Sequence, residues 1–286
     1  MKGARIMKTK QVITLAAALA ASPPLCGLSA EAPAKEGQTT RSSKPNMVFI
    51  LGDDINRDSW GLYGSLNGKT PHIDALAREG MVFNKAYCSV AMCAPFRQEL
   101  YSGRTPWRTG TLPNHSTSKP NTRSIAHYLQ ELGYRVALAG KTHFGPNSAY
   151  PFELLGDVSR TNDGNPEMMA KMRTFVSSVG DAPFCLFLAS HDAHGPYTTG
   201  DASQYPPDKL KVPPYWYDTP ELRQMFSKYL AEVTNFDALV GLVVAELKER
   251  GLFDDTVLMV CSEQGNAFPY AKWTCFDNGL HCGLVA

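Results

Sequence analysis

The sequence is poor in charge, and the charge it has is balanced. Charged residues make up 19% of the 286 residues, and the formal net charge is +1 at pH 7. Binding to nucleic acid or to an anionic membrane surface usually shows as a clear excess of positive charge, and this composition has none. We therefore predict no nucleic-acid partner. An anionic ligand would have to be bound by a local cluster of basic side chains.

Long apolar runs are also missing. An apolar run over residues 12–21, preceded by several lysines and arginines, is too short to span a bilayer. This arrangement is typical of a secretory signal peptide. We predict a signal peptide over residues 1–30, a polar linker over residues 31–43, and an exported protein, periplasmic or extracellular, with no membrane span in the mature chain. Lipidation at Cys26 and an uncleaved membrane anchor remain alternatives.

Cysteine is scarce, with seven residues whose spacing fits no zinc finger. Export would permit disulfides, and Cys275 with Cys282 is one conceivable pair. Hydrophobic residues make up 43% of the chain, which is enough to bury the core of a globular protein. The cysteine count by itself therefore decides nothing about disulfides.

Short continuous apolar runs predict strands that are buried in a parallel sheet. They cover residues 46–52, 135–139, 183–190 and 256–261. Helical patterns, most of them amphipathic, lie between these runs, at residues 70–80, 123–132, 167–179 and 221–250. The alternation predicts an α/β fold with a mostly parallel central sheet flanked by helices.

Polar side chains follow each of these strands, where open α/β sheets place their ligands. Asp53 and Asp54 follow the first strand, and two adjacent carboxylates repel each other unless a cation such as a divalent metal lies between them. Solvated acids in a turn are the alternative for an isolated pair. Lys141 and His143 follow the second strand and point to the same side of an extended chain, which suits one small anion. The third and fourth strands are followed by residues 191–196 and 262–266.

The segment over residues 93–104, CAPFRQELYSGR, carries the most specific pattern. Pro95 fixes its own φ and disfavours the helical region for Ala94, so we expect Cys93 at the end of a loop with a helix beginning behind it. The free N–H groups and the dipole of a helix N-terminus favour an anionic group there. A buried cysteine before an ordinary helix is the alternative for a lone cysteine.

The C-x-P-x-R pattern, followed by Gly103 and Arg104, resembles the signature of the type I sulfatases of the alkaline phosphatase superfamily. Residues 140–145, GKTHFG, are similar to that family's G-K-x-H-x-G. Phe96 stands where the family has serine, and Glu263-Gln264 stands where it most often has aspartate followed by asparagine or histidine. Residues 262–273 look closer to the N-sulfoglucosamine sulfohydrolase-like and bacterial polysaccharide sulfatases than to the arylsulfatases.

The resemblance implies a site and its roles. It implies a calcium ion held by Asp53, Asp54, Glu263, Gln264 and the residue at position 93. It implies that Arg97 and His143 orient the nucleophile, and that sulfate binding and departure of the leaving group are served by Lys141, His194 and Lys272. The implied nucleophile is the hydrate of formylglycine, made from Cys93 by a formylglycine-generating maturation enzyme.

The implied reaction is hydrolysis of a sulfate ester, or N-sulfate, of a sulfated carbohydrate. The hydrate attacks sulfur, the alcohol or amine leaves, and the second hydroxyl then expels sulfate and restores the aldehyde. We expect residues 44–286 to form the catalytic domain. Sulfatases usually carry a further strand and a smaller C-terminal subdomain, so we expect either that the sequence is truncated or that the protein lacks this part. A phosphonate or phosphate monoester hydrolase of the same superfamily, and an inactive homologue that binds sulfated glycan, are the alternatives.

Overall fold

The computed structural model describes residues 44–286, so the predicted signal peptide and linker lie outside the described residues. The helices are α1 (Pro71–Glu79), α2 (Cys93–Ser102), α3 (Pro106–Thr109), α4 (Ile125–Glu131), α5 (Pro166–Ser178), α6 (Pro220–Glu249) and α7 (Asp277–Leu280). The strands are β1 (Asn46–Gly52), β2 (Ala86–Tyr87), β3 (Arg135–Gly140), β4 (Glu153–Gly156), β5 (Phe184–Ala189), β6 (Thr256–Ser262), β7 (His281–Cys282) and β8 (Leu284–Val285). Short 3-10 turns occupy Arg57–Ser59, Gly61–Tyr63, Asn147–Ala149, Ala202–Gln204, Pro207–Lys209 and Phe253–Asp255.

Six strands form the central sheet, in the order β4-β3-β5-β1-β6-β8. All neighbouring pairs from β4 to β6 are parallel, and β8 is antiparallel to β6. The α/β architecture predicted from the sequence is therefore confirmed. Because β1, β3, β5 and β6 run in one direction, the residues that follow them meet at one edge of the sheet.

Alternate residues of the inner strands supply two cores. In β3, Ala137 and Ala139 pack into the core that includes α5 and α6, whereas Val136 and Leu138 pack into the core that includes α2 and α4. All six residues of β5 are buried, as expected for a strand covered on both faces. The continuous apolar runs in the sequence reflect this two-sided burial.

The long helix α6 is tied to α1 by Asp237. Its carboxylate accepts hydrogen bonds from the backbone N–H groups of His72 and Ile73, at 3.1 and 2.8 Å. These are free N–H groups in the first turn of α1, where a negative charge is favourable. Asp237 therefore has a structural role.

Several local expectations were wrong. Helix α2 begins at Cys93 itself rather than behind it, because Pro95 lies in the first turn, where a helix needs no N–H from it. Strand β4 is not among the apolar runs that predicted strands. The cysteines of the described residues are all free, so no disulfide joins Cys275 to Cys282.

None of the helices within residues 44–286 has the length and apolar character needed to cross a membrane.

Candidate active site

Three carboxylates and the residue at position 93 meet at the carboxyl edge of the sheet. Asp53 and Asp54 follow β1, Glu263 follows β6, and Cys93 begins α2. One ligand atom from each of these four residues lies within 4.8 Å of those of the other three, and all four side chains are buried. We call this group the acidic floor.

Backbone hydrogen bonds fix the floor to the sheet. The N–H of Asp53 donates to the carbonyl of Asp192 at 2.7 Å, and the N–H of Glu263 donates to the carbonyl of Gly52 at 3.1 Å. These bonds extend the sheet pairing by one residue beyond the strand ends. The carboxylates are therefore held by the most rigid part of the fold rather than by loops.

Basic side chains lie directly on the floor. Lys141 pairs with Asp53, and Arg97 pairs with Glu263. Lys272 contacts Asp54, with 2.7 Å between Nζ and Oδ2. Each buried carboxylate thus has a cationic partner, which a buried charge requires.

Arg97 and His194 approach the floor from different sides. Arg97 is fully buried, and its Nη1 donates to the carbonyl of Lys141 at 2.5 Å. His194 is partly exposed, and its Nε2 lies 3.7 Å from Oδ2 of Asp54. Its Nδ1 donates to the carbonyl of Gly195 at 2.7 Å, which leaves Nε2 for a ligand. Arg97 therefore contacts the floor from the protein interior, and His194 contacts it from the side that is open to solvent, which we call the entrance.

Burial and neighbouring charges shift the pKa values of the two adjacent aspartates in opposite directions. Burial would raise the pKa of Asp53, but the charges of Lys141 and Arg97 hold it below its ordinary value. Burial raises the pKa of Asp54, and the negative charge of Asp53 raises it further. Asp53 is thus the fixed anion of the pair, whereas Asp54 gains most from an additional positive charge.

The same causes act on Glu263 and Cys93. Burial, with the charge of Asp53, raises the pKa of Glu263 well above its ordinary value, although Arg97 opposes the shift. Burial and the charges of Glu263 and Asp53 raise the pKa of the Cys93 thiol to about 12. An unmodified Cys93 would therefore be a protonated thiol, which is a weak nucleophile.

The oxygen atoms of the floor fit a hard cation. Oδ1 of Asp53, Oε2 of Glu263 and Oε1 of Gln264 are buried and make no hydrogen bond within the described residues. The amide nitrogen of Gln264 donates to Asp54 and lies 3.4 Å from the Cys93 sulfur, so this side chain belongs to the same cluster. Carboxylate and amide oxygens are the donors that Ca²⁺ prefers. All the residues predicted to hold a metal are thus brought together.

The sequence did not identify two residues beside His143. His115 Nδ1 lies 2.8 Å from His143 Nε2, and Asn114 contacts both His115 and the N–H of Ala94. Asn114 and His115 lie in the segment between α3 and α4, which lacks any periodic pattern. The only signal was a titratable residue in a loop that follows the cysteine motif, and this signal is weak.

Four exposed aromatic side chains form what we call the aromatic rim: Tyr215, Tyr270, Trp273 and Phe276. The Tyr270 ring packs edge-on against the rings of Tyr215 and Phe276. The Trp273 ring centroid is 5.2 Å from Nζ of Lys272. The Trp273 N–H donates to the carbonyl of Ala91 at 2.9 Å, which ties the rim to the segment before Cys93. Among the other aromatic side chains of residues 205–217, Tyr217 is exposed, whereas Tyr205 and Trp216 are buried and serve packing.

Positive φ angles are concentrated at this site. Among the non-glycine residues, Asp54, His115, His143, Tyr270 and Trp273 have φ between 51° and 66°. Such conformations are unfavourable for residues with a Cβ and persist only where the surroundings impose them. They are consistent with a site whose side chains are held in fixed directions.

A buried network holds the segment that carries His194. Glu232 of α6 accepts hydrogen bonds from the N–H groups of Thr198 and Thr199, at 2.6 and 3.1 Å, and pairs with Arg160 at 2.6 Å. Asp192 is also buried and accepts a hydrogen bond from Thr199 at 2.8 Å. His194 therefore lies on a segment anchored to a core helix.

Comparison with known proteins gives a consistent result. The sulfatase family model matches residues 45–285. An ulvan-active sulfatase of Formosa agariphila is 29% identical over 257 residues, which cover 88% of this chain and 50% of that protein. The N-sulphoglucosamine sulphohydrolase of Homo sapiens is 29% identical over 265 residues, which cover 81% of this chain and 53% of that protein. The chain thus spans about half the length of these relatives.

A solved structure shows the same fold. The phosphonate monoester hydrolase of Agrobacterium radiobacter superposes with a TM-score of 0.70 at 17% identity, covering 85% of this chain and 68% of that chain. At this identity the likeness concerns the fold alone. The family model, in contrast, spans nearly every residue that the structure describes, including the cysteine motif and all four strand ends. The chain therefore belongs to the sulfatase family, as those motifs predicted.

Proposed function

We propose that this chain hydrolyses sulfate esters, or N-sulfates, of a sulfated carbohydrate and releases inorganic sulfate. The observation that carries the proposal is the acidic floor, in which residue 93 lies among three buried carboxylates with Lys141 and Lys272 directly above them. A sulfate group is a tetrahedral anion whose oxygens must be neutralised before a nucleophile can approach sulfur. Lys141 and Lys272, together with a cation held by the floor, would supply that neutralisation.

Two groups complete the proposed chemistry. Cys93, converted to formylglycine by a maturation enzyme, would supply a hydrated aldehyde as the nucleophile. Ca²⁺, held by Asp53, Asp54, Glu263, Gln264 and the oxygen at position 93, would supply Lewis-acid polarisation of a sulfate oxygen.

The remaining roles belong to side chains of the chain itself. Lys141 and Lys272 are placed to bind sulfate oxygens as compact positive charges. Burial would lower the pKa of each lysine, but its acidic partner raises that pKa above the ordinary value, so both lysines stay protonated. His194 Nε2 faces the entrance and is placed to protonate the leaving oxygen or nitrogen. Arg97 keeps Glu263 and the Lys141 backbone in position.

The substrate class rests on the relatives and on the rim. Two relatives are named for ulvan and for N-sulphoglucosamine, which are sulfated carbohydrates. The exposed ring of Trp273 beside Lys272 offers an apolar face on which a sugar can stack while its sulfate reaches the lysine. Export of the chain is part of the same proposal, since the short apolar run over residues 12–21 follows several lysines and arginines.

The test uses the full chain co-produced with a formylglycine-generating enzyme and supplied with Ca²⁺. Peptide mass spectrometry with hydrazine trapping reports the aldehyde at position 93. Release of inorganic sulfate from ulvan oligosaccharides and from N-sulfoglucosamine is then measured, with Cys93→Ala as the control. Sulfate release that disappears in Cys93→Ala supports the proposal.

The second candidate is a phosphonate or phosphate monoester hydrolase, which the shared fold with a phosphonate monoester hydrolase favours. Turnover of a phosphonate ester with no release of sulfate would establish it. A trapped aldehyde without turnover of either class would instead indicate an inactive homologue that binds sulfated glycan.

A further inference from the structure

We propose that Asn114 and His115 are positioning residues that hold His143 in its Nδ1–H tautomer, so that this nitrogen donates a hydrogen bond into the site. The use of that hydrogen bond, to orient the nucleophile or a sulfate oxygen, rests on the proposed function. The tautomer itself is a property of this chain. It follows from a directed series of hydrogen bonds that starts at the residue after Cys93.

The series begins at the backbone of Ala94. Its N–H, in the first turn of α2, lies 3.4 Å from Oδ1 of Asn114. A backbone N–H can only donate, so the Asn114 atom that faces it must be the oxygen. The amide nitrogen Nδ2 therefore points the other way, where it lies 3.3 Å from Nε2 of His115.

The direction then passes to His115. An amide nitrogen can only donate, so Nε2 of His115 accepts and carries no proton. A neutral imidazole has one N–H, which must be at Nδ1. That Nδ1 lies 2.8 Å from Nε2 of His143 and donates to it.

His143 is the last member. Its Nε2 accepts from His115, so its own proton lies on Nδ1. Burial and the charges of Lys141 and Arg97 lower the pKa of His143 to about 4, which keeps the ring neutral at physiological pH. Its Nδ1 is buried and makes no hydrogen bond to any described residue. The donor is therefore available to an oxygen on residue 93 or on a bound sulfate.

This arrangement has a functional consequence. A neutral histidine in the other tautomer would present a lone pair to the same point and would repel an oxygen there. Fixing the tautomer through the far nitrogen is a general way to set the role of a histidine in catalysis. Asn114 and His115 would thus act on the reaction without touching the substrate.

The experiment is long-range ¹H–¹⁵N correlation NMR on the full chain with ¹⁵N-labelled histidine, recorded well above the ordinary imidazole pKa of about 6.5. The chain has seven histidines. The variants His143→Gln and His115→Gln assign the two signals. We expect both rings as Nδ1–H tautomers. Finding His143 as the Nε2–H tautomer in the unchanged protein would overturn the proposal.

Asn114→Asp reverses the series without removing it. A carboxylate only accepts, so His115 would have to donate through Nε2, and His143 would change to its Nε2–H tautomer. Asn121→Asp is the matched control, since it makes the same change of charge at an exposed position between α3 and α4 and leaves both tautomers unchanged. An unchanged His143 signal in Asn114→Asp would contradict the proposal.

Kinetics add a second readout. With an aryl sulfate we expect kcat of Asn114→Asp to fall about tenfold to a hundredfold and KM to change less than about twofold. A fall in kcat without a change of tautomer counts against the proposal. If the chain hydrolyses no sulfate at all, the NMR result still decides the tautomer, so the two failures are distinguishable. Should Asn114→Asp fail to fold, the tautomer of the unchanged protein decides.

Discussion

The acidic floor and the aromatic rim lie side by side but are built in opposite ways. The floor is buried at the carboxyl ends of rigid strands, and its carboxylates pair with Lys141, Arg97 and Lys272. The rim consists of aromatic rings in loops, and Trp273 is 67% exposed. A cation held by the floor, together with the lysines, would bind the sulfate group that every sulfate ester shares, whereas the rim presents apolar surface to the rest of a substrate. On the proposed function, the floor would set the reaction and the rim would select the sugar.

The largest effect is expected at the centre of the floor. Cys93→Ala should reduce kcat for any sulfate ester by at least about 10⁴-fold, because it removes the atom from which the nucleophile is made. The thermal midpoint should change by only a few degrees, since the substitution removes one buried sulfur atom. Residual activity within about tenfold of the unchanged protein would show that another residue supplies the nucleophile.

The second-largest effect is expected on Ca²⁺ affinity, which a change in the floor should weaken and a change in the rim should not. Glu263→Gln should weaken Ca²⁺ binding on the order of 100-fold or more, because it removes a charged ligand and leaves Arg97 without its buried partner. Isothermal titration calorimetry with CaCl₂ measures the affinity. Trp273→Ala, a change in the rim, should leave it unaltered. Equal affinities in Glu263→Gln and the unchanged protein would remove Glu263 from the metal site.

The rim should affect binding more than chemistry. Trp273→Ala should raise KM for a sulfated oligosaccharide roughly fivefold, which corresponds to about 1 kcal/mol of lost stacking, and should leave KM for a small aryl sulfate unchanged. Steady-state kinetics with both substrates test this. Trp107→Ala, at an exposed tryptophan on α3, is the matched control. An equal rise in KM for both substrates would show that Trp273 acts on the sulfate group rather than on the sugar.

The smallest effect concerns Glu232, a buried acid that belongs to neither region and anchors the segment with His194. Burial raises its pKa from 4.5 to about 7, although Arg160 and the N–H of Thr199 oppose the shift. Between these two values the folded protein binds a proton that the unfolded chain has released. The free energy of unfolding should therefore fall as pH rises through this window, by on the order of 1 kcal/mol from this group.

Denaturant unfolding of the unchanged protein and of Glu232→Gln, from about pH 4.5 to about pH 8, isolates this contribution. The stability of the unchanged protein relative to the variant should decline across the window. A difference that does not vary with pH would mean that Glu232 is ionised throughout.

The sequence predicted that the residues of the floor lie together, because their positions follow from two simple rules. Continuous apolar runs mark strands of a parallel sheet, and the residues after such strands meet at one edge. Asp53 and Glu263 are more than 200 positions apart in the chain. The apolar run before each residue placed it at the end of a strand, and the resemblance to the sulfatases implied its role as a metal ligand. The cysteine motif supplied the remaining member.

The rim and the residues beside His143 could not be predicted in this way. Tyr215 and Trp216 are neighbours in sequence, but one is half-exposed and the other is buried against Phe226 and Phe268. His115 meets His143 only because two loops without periodicity come together. Strand β4 was missed because it is a short edge strand with exposed residues, which gives no apolar run.

The burial of Cys93 also constrains the order of events in time. Its side chain is 2% exposed, beneath residues that the chain supplies much later, such as Glu263, Gln264 and Lys272. A modifying enzyme cannot reach this sulfur once these segments have packed. Any conversion of Cys93 must therefore be finished while the second half of the chain is still being made or is still unfolded. If modification were slower than folding, the folded protein could no longer be activated. The fraction of active protein would therefore depend on the relative rates of modification and folding.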